Sequence, residues 1–262
     1  MGAEVKKETL AGYLKELHLP AFRRGYEELA RQAQQESFSY EQYLLGLAQR
    51  ESQERCARRT ERLLHQSCLP LEKSWQALEL KRLPAKVLQQ ARSLLEGSFV
   101  DRRENVLAFG VPGSGKTHLL CAIGQELVRS GRRLQFWTTG LLVQELLVAK
   151  RDLKLSRLLK RLAGFEVLLL DDLGYVQQSR EEMEVLFTLL AERYERGSVL
   201  LTSNLPFSQW ESIFKDAMTT AAAIDRLVHH SVIVELNLPS YRAEAAKKAR
   251  GQRGSAEGGT TP

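Results

Sequence analysis

Residues Gly110-Val111-Pro112-Gly113-Ser114-Gly115-Lys116-Thr117 match G-x-x-x-x-G-K-[ST] in full. A loop of this kind works only between a buried strand and the first turn of a helix. It therefore constrains the fold around it to alternating strands and helices. Gly110, Gly113 and Gly115 allow successive backbone N–H groups to curl around phosphate oxygens, where a Cβ would obstruct them. Lys116 can reach the β- and γ-phosphates, and the Thr117 hydroxyl can ligate Mg²⁺. The flanks fit this reading. Asn105 to Phe109 is a short apolar run suited to a buried parallel strand. After Thr117, Leu119, Leu120, Ile123 and Leu127 recur at helical spacing.

The alternation continues. Arg133–Thr138, Glu166–Leu170, Ser198–Thr202 and Val232–Leu236 read as four further strands. Met183, Leu186, Phe187, Leu190 and Tyr194 make one face of a helix between the third and fourth. The expectation is a five-stranded parallel sheet flanked by helices, within residues 104–250. Ahead of it, residues 1–68 read as a small all-helical domain. Leu10, Tyr13, Leu14 and Leu17 form one apolar face, and Phe22, Tyr26, Leu29, Ala30 and Ala33 form a second. Ser39 to Gln42 is a capping box that opens a long third helix. That helix carries Arg50, Arg55, Arg58, Arg59 and Arg62 against Glu51, Glu54 and Glu61. It is either a solvated face with i,i+4 pairs or a phosphate-contacting one. Residues 69–103 form a connector, broken at Pro70 and Pro84, with a helix at Val87–Leu95. Residues 251–262, rich in Gly, Ser and Thr, are expected to be disordered.

Five further residues suit nucleotide chemistry. The third strand ends in Asp171 and Asp172, at the carboxyl edge where ligands of such sheets bind. Asp171 would hold Mg²⁺, and Asp172 would orient or deprotonate the attacking water. The alternative is a strand ending in a polar turn. The fourth strand ends at Asn204, whose amide could position that water or simply start a turn. Arg226, just before the fifth strand, is either an arginine finger or a surface ion pair with Asp225. Arg242 is a second such cation, or else the start of a basic tail.

Net charge is +6 with a pI near 9.3, which does not by itself imply nucleic acid. The distribution is more specific. Between Leu141 and Ala163 lies an insertion in which Leu155, Leu158, Leu159 and Leu162 share a helix face. Arg157, Lys160 and Arg161 take the opposite face, with Lys150, Arg151 and Lys154 just ahead. Only Asp152 opposes them between 150 and 161. The stretch is a solvated outer face or a phosphate-contacting one; in the latter case the absence of interleaved aromatics favours backbone contact over base reading. Three scattered cysteines without a C-x-x-C pair suit a reducing cytoplasm. His65 and Cys68 have no second pair to complete a metal site. The chain has no apolar run of membrane-spanning length and no signal-peptide core, so a soluble cytoplasmic protein is expected.

These residues resemble the AAA+ ATPases, specifically the DnaC and IstB-like branch, over essentially the whole chain. The P-loop followed by His118-Leu119 and the run Asp171-Asp172-Leu173-Gly174-Tyr175 are typical of it, and the branch often has Asp at the second acid. The resemblance places His118 with the nucleotide-binding residues. It puts Asn204 at sensor I, Arg226 at the arginine finger and Arg242 at sensor II. It implies ATP and Mg²⁺ as cofactors and a homo-oligomer in which Arg226 acts in trans. Only twenty residues follow Arg242, so the C-terminal lid is short or absent. Phe38 to Leu47 and Pro70 to Trp75 are similar to the IstB-like insertion-sequence helpers, which assemble on duplex target DNA with ATP and assist a DDE transposase. An extra helix at the position of the basic insertion typically lines the DNA channel in the AAA+ initiator clade. The alternatives are a DnaC-like replicative helicase loader and an ATP-binding scaffold with negligible hydrolysis.

Overall fold

The computed structural model describes residues 2–174, 179–210 and 217–241. Tyr175, Arg242, the rest of the C-terminal segment that would hold any lid, and the stretch 251–262 lie outside the described residues. The chain divides into two compact units, Met1–Arg62 and Leu63–Pro262.

In the first unit, α1 (Gly2–Glu16) and α2 (Pro20–Glu36) precede α3 (Tyr40–Ser67), and the division falls within α3. Pro20 suits the first turn of α2, where its missing N–H costs nothing. The capping box forms: Ser39 N–H donates to Gln42 Oε1 at 2.8 Å, and Gln42 N–H donates to Ser39 Oγ at 3.2 Å. Of the Arg/Glu stretch, Arg55 pairs with Glu51 at 2.8 Å and Arg58 with Glu54 at 2.6 Å, both at i,i+4. Glu51 is buried and also accepts from Ala21 N–H at 2.7 Å, so it ties α2 to α3.

The second unit is a parallel α/β layer structure. Its sheet comprises β1 (Asn105–Phe109), β2 (Leu134–Thr138), β3 (Val167–Leu173), β4 (Ser198–Ser203) and β5 (Ser231–Glu235), in the order β2-β3-β4-β1-β5 and parallel throughout. Both faces are covered, which is why the strands read as unbroken apolar runs rather than alternating ones. In β1, Leu107 and Phe109 enter one core, and Val106 and Ala108 enter the other. β3 splits the same way, with Leu168 and Leu170 opposite Val167 and Leu169. The first core is closed by α7 (Thr139–Arg151), α8 (Leu155–Ala163), α9 (Arg180–Arg193) and α10 (Ala217–Val228). The second is closed by α4 (Ala85–Leu95), α5 (Ser98–Asp101) and α6 (Lys116–Arg129). Residues 69–103 contribute to that second core through Leu69, Val87, Ala91, Leu94, Phe99 and Val100.

The stretch 141–163 holds two helices. α7 buries Leu142, Val143 and Leu146 against the sheet side, and α8 buries Leu158 and Leu162. The break falls at Asp152–Lys154, where Leu153 takes a left-handed φ of 56° and is 94% exposed.

Candidate nucleotide site

The P-loop leaves β1 at Gly110 and enters α6 at Lys116. All three of its glycines have positive φ: 150° at Gly110, 80° at Gly113 and 99° at Gly115. Their reasons differ. A Cβ on Gly110 would lie 2.2 Å from the Leu236 carbonyl oxygen, and one on Gly113 would lie 2.2 Å from Ser240 Oγ. These two glycines admit the segment after β5, which also donates Tyr241 N–H to the Gly113 carbonyl at 2.9 Å. At Gly115 nothing lies within 4 Å of the Cβ position, so that glycine borders open space at the head of α6. The buried Ser114 hydroxyl there has no hydrogen-bond partner. Val111 and Pro112 are exposed at the tip. An open helix N-terminus with an orphaned hydroxyl and curled N–H groups suits phosphate.

Lys116 is buried, and its ammonium donates to the Gly110 carbonyl at 2.8 Å, the Val111 carbonyl at 3.0 Å and Asn204 Oδ1 at 2.6 Å. Thr117 Oγ1 donates to Asp171 Oδ1 at 2.7 Å. Thr202 Oγ1 donates to the same oxygen at 2.7 Å and accepts from Asp172 N–H at 2.8 Å. Thr139 fastens the Asp171 carbonyl at 2.8 Å. β1, β3, β4 and α6 thus deliver Lys116, Thr117, Asp171 and Asn204 to one spot at the carboxyl edge of the sheet.

A register shift separates the two aspartates. Leu170 faces Leu201 and Leu173 faces Ser203, so Asp171 and Asp172 together oppose Thr202 alone. Such a bulge re-aims a side chain. Asp172 takes φ 60° and is exposed, whereas Asp171 is buried. Two adjacent carboxylates therefore have different environments. Thr202 is the residue sequence reasoning overlooked. Its hydroxyl at the end of β4 was visible, but its partner depends on the bulge. The Thr117, Asp171 and Thr202 oxygens form a hard donor set suited to Mg²⁺. The His118 Nε2 lies 3.0 Å from the Ser74 carbonyl of the connector. Behind the loop, burial pushes the Cys121 thiol up to about 12.

Arg226 lies elsewhere. It lies in the last turn of α10, whose Arg226 and Leu227 carbonyls accept from the Asn105 side chain at 3.5 and 3.0 Å. Asn105 opens β1 and the P-loop follows its last residue, so roughly 13 Å of strand separates the two regions. The Arg226 guanidinium stacks 4.6 Å from the Phe187 ring centroid and donates to the Ala222 carbonyl at 3.2 Å.

The basic residues of α7 and α8 are exposed or half-exposed. Neighbouring elements neutralise part of them. Lys150 pairs with Glu184 at 3.0 Å, Arg161 with Glu145 at 3.1 Å, and Asp152 receives Arg151 at 3.4 Å and Lys154 at 3.7 Å. Among the described residues, Arg157 and Lys160 have no carboxylate in ion-pair range. No described helix is long and apolar enough to cross a membrane.

The family profile described as IstB-like ATP binding protein matches residues 12–249. An insertion-sequence ATP-binding protein of Sinorhizobium fredii is 40% identical over 251 residues, covering 95% of this chain and 84% of the relative. The ATP-binding protein of insertion sequence IS21 from Pseudomonas aeruginosa is 37% identical over 242 residues, covering 92% and 90%. Among solved structures, the DnaC helicase loader is similar with a TM-score of 0.51 at 20% identity, over 58% of this chain and 89% of that one. AMPPCP-bound DnaA from Aquifex aeolicus gives 0.54 at 17% identity, over 71% and 56%. At these identities the two structures bear on the fold alone.

Proposed function

The chain belongs to the IstB-like ATP-binding proteins of insertion sequences, and from that premise we propose that it hydrolyses ATP at a junction between subunits assembled on duplex target DNA, in support of a DDE transposase. The observation that carries this reading is the division of the machinery between two sheet edges. Lys116, Thr117, Asp171 and Asn204 converge at the carboxyl edge, while Arg226 stands at the amino edge, a strand length away. An arginine finger so placed serves the phosphates of another copy.

Each residue then has a definable task. The P-loop N–H groups and the Lys116 ammonium hold the phosphates, with Lys116 exchanging its carbonyl and Asn204 partners for phosphate oxygens. Thr117 and Asp171 would hold Mg²⁺, which neutralises charge developing on the phosphates. Asp172, exposed and swung out by the bulge, is suited to accept a proton from or orient the attacking water. Asn204, released from Lys116, can fix that water from the far side. Arg226 from a neighbour stabilises the transferring phosphoryl group, and Arg242 is assigned to the same nucleotide as sensor II. The basic positions Lys150, Arg151, Lys154, Arg157, Lys160 and Arg161 contact DNA phosphates, so binding is expected to be steeply salt-dependent and weakly sequence-selective.

The deciding measurement is binding of purified protein to duplex DNA at low salt, with and without ATP and Mg²⁺. ATP-dependent binding is expected. Its absence overturns the DNA-assembly reading, and co-purification with a replicative helicase instead would favour a loader.

A further inference from the structure

The amino edge of the sheet holds a second set of polar groups that the ATP site does not use. A cavity of about 280 Å³ opens there, lined in part by Tyr194, Glu195, Arg226 and His230. At its rim one ligand atom each from Glu195, His229 and His230 falls within 4.8 Å of the others. We propose that Glu195, His229 and His230 form a binding site for a borderline divalent transition-metal ion such as Zn²⁺, on the edge that carries Arg226.

The backbone holds all three positions. His229 closes α10, with its N–H on the Asp225 carbonyl at 2.9 Å. The His230 carbonyl accepts from Asn105 N–H at 2.7 Å, next to the first rung between β5 and β1. Glu195 sits at φ 56°, a strained setting for a residue with a Cβ, and its carbonyl accepts from Arg103 Nη1 at 2.5 Å. Its turn is riveted by buried Arg193, which donates to the carbonyls of Leu162, Phe165, Glu166 and Ser198. The histidine rings meet edge-on with centroids 4.2 Å apart. Tyr194 Oη lies 3.1 Å from His229 Nδ1. With Nδ1–H donating to that oxygen, Nε2 keeps its lone pair for an ion, which is how metal-bound imidazoles are normally oriented.

Tetrahedral binding at 2.0–2.1 Å needs donors about 3.3 Å apart, within reach of exposed side-chain rotation on a fixed backbone. Two imidazoles and one carboxylate favour Zn²⁺ over Mg²⁺. Arg102, Arg103 and Arg226 line the same cavity, each with a partner of its own: Arg102 pairs with Glu104 at 2.8 and 2.9 Å, Arg103 donates to the Glu195 backbone carbonyl rather than its carboxylate, and Arg226 stacks over Phe187. A metal here would alter how the Arg226 edge seats on another copy. That consequence rests on the trans-arginine reading; the metal site does not.

The test uses untagged, chelator-stripped protein without nucleotide, with Cys56→Ser and Cys68→Ser removing the exposed thiols. ZnCl₂ is titrated against a chromophoric chelator, and bound zinc is counted by elemental analysis. One equivalent is expected, undisturbed by excess MgCl₂. His229→Ala/His230→Ala should abolish it, Glu195→Gln should weaken it about tenfold or more, and Tyr194→Phe should weaken it within the roughly 10–100-fold range of outer-shell partners. Thermal melts verify folding. Zinc binding that is absent, or equal in the parent protein, the double-histidine variant and Glu195→Gln, overturns the site. Since neither nucleotide nor DNA is present, that failure is separable from failure of the ATPase reading.

Discussion

Thr202 is a small residue with two duties, and its removal separates geometry from binding. Its hydroxyl donates to Asp171 and accepts from Asp172 N–H across the bulge. Thr202→Val keeps shape and β-branching but removes the hydroxyl that bonds both Asp171 and the Asp172 N–H. Folding stability should fall by about 1–2 kcal/mol, seen in urea titration. ATP turnover should fall about tenfold, equal to about 1.4 kcal/mol in the barrier, with nucleotide affinity little changed. Unchanged turnover would remove Thr202 from the site. Glu51 makes a pH-dependent counterpart in the first unit. Burial would raise its carboxyl, but Arg55 and the N–H groups of Ala21 and Phe22 outweigh that and hold it below the ordinary 4.5. A depressed carboxylate stabilises fully above its unfolded value and loses that contribution as pH falls through the folded one. Helicity of the first unit should therefore weaken below about pH 4.5, and Glu51→Gln should flatten that acid limb, read by circular dichroism.

Among the elements, α8 offers the clearest test of surface charge. Four of the six basic positions share carboxylates with Glu145, Asp152 or Glu184, and such exposed pairs are worth little yet reduce the local field. Arg157 and Lys160 keep theirs. Arg157→Ala/Lys160→Ala should lower duplex affinity across all sequences and reduce the slope of log K against log salt by about 2. Lys150→Ala should change it less. A slope equal to wild type would leave these helices as a solvated outer face. The same segment shows what the sequence could and could not reveal. The strands were legible to within three residues because two-sided burial makes them continuous apolar runs. Lys116, Thr117, Asp171 and Asn204 were legible because motif and strand end coincide. The α7–α8 break was not, since it carries no Gly or Pro and turns on Leu153 at positive φ. Glu145 and Glu184 as partners, and the bulge at Asp171–Asp172, depend on packing between elements distant in sequence.

At the scale of the whole molecule, the proposed trans arrangement would make the amino edge of one sheet and the carboxyl edge of another copy's sheet two halves of one site, and this can be tested by mixing. Lys116→Ala retains Arg226 but cannot hold phosphate. Arg226→Ala retains the P-loop but supplies no cation. Each variant alone should lose ATP turnover by a hundredfold or more, since an arginine finger contributes about 10³–10⁵. In head-to-tail assemblies of equal mixtures, about one junction in four pairs an intact P-loop with an intact arginine. Turnover should therefore recover to about a quarter of wild type, with a second-order dependence on the two concentrations. If Arg226 acted within its own chain, every subunit of the mixture would carry a defective site and no recovery would occur. The strand between Asn105 and Phe109 argues against that outcome: Asn105 holds the end of α10 at one end, Phe109 precedes the P-loop at the other, and β1 is a fixed spacer buried on both faces. Closing that distance in one chain would require breaking the sheet on which both the P-loop and the end of α10 are mounted.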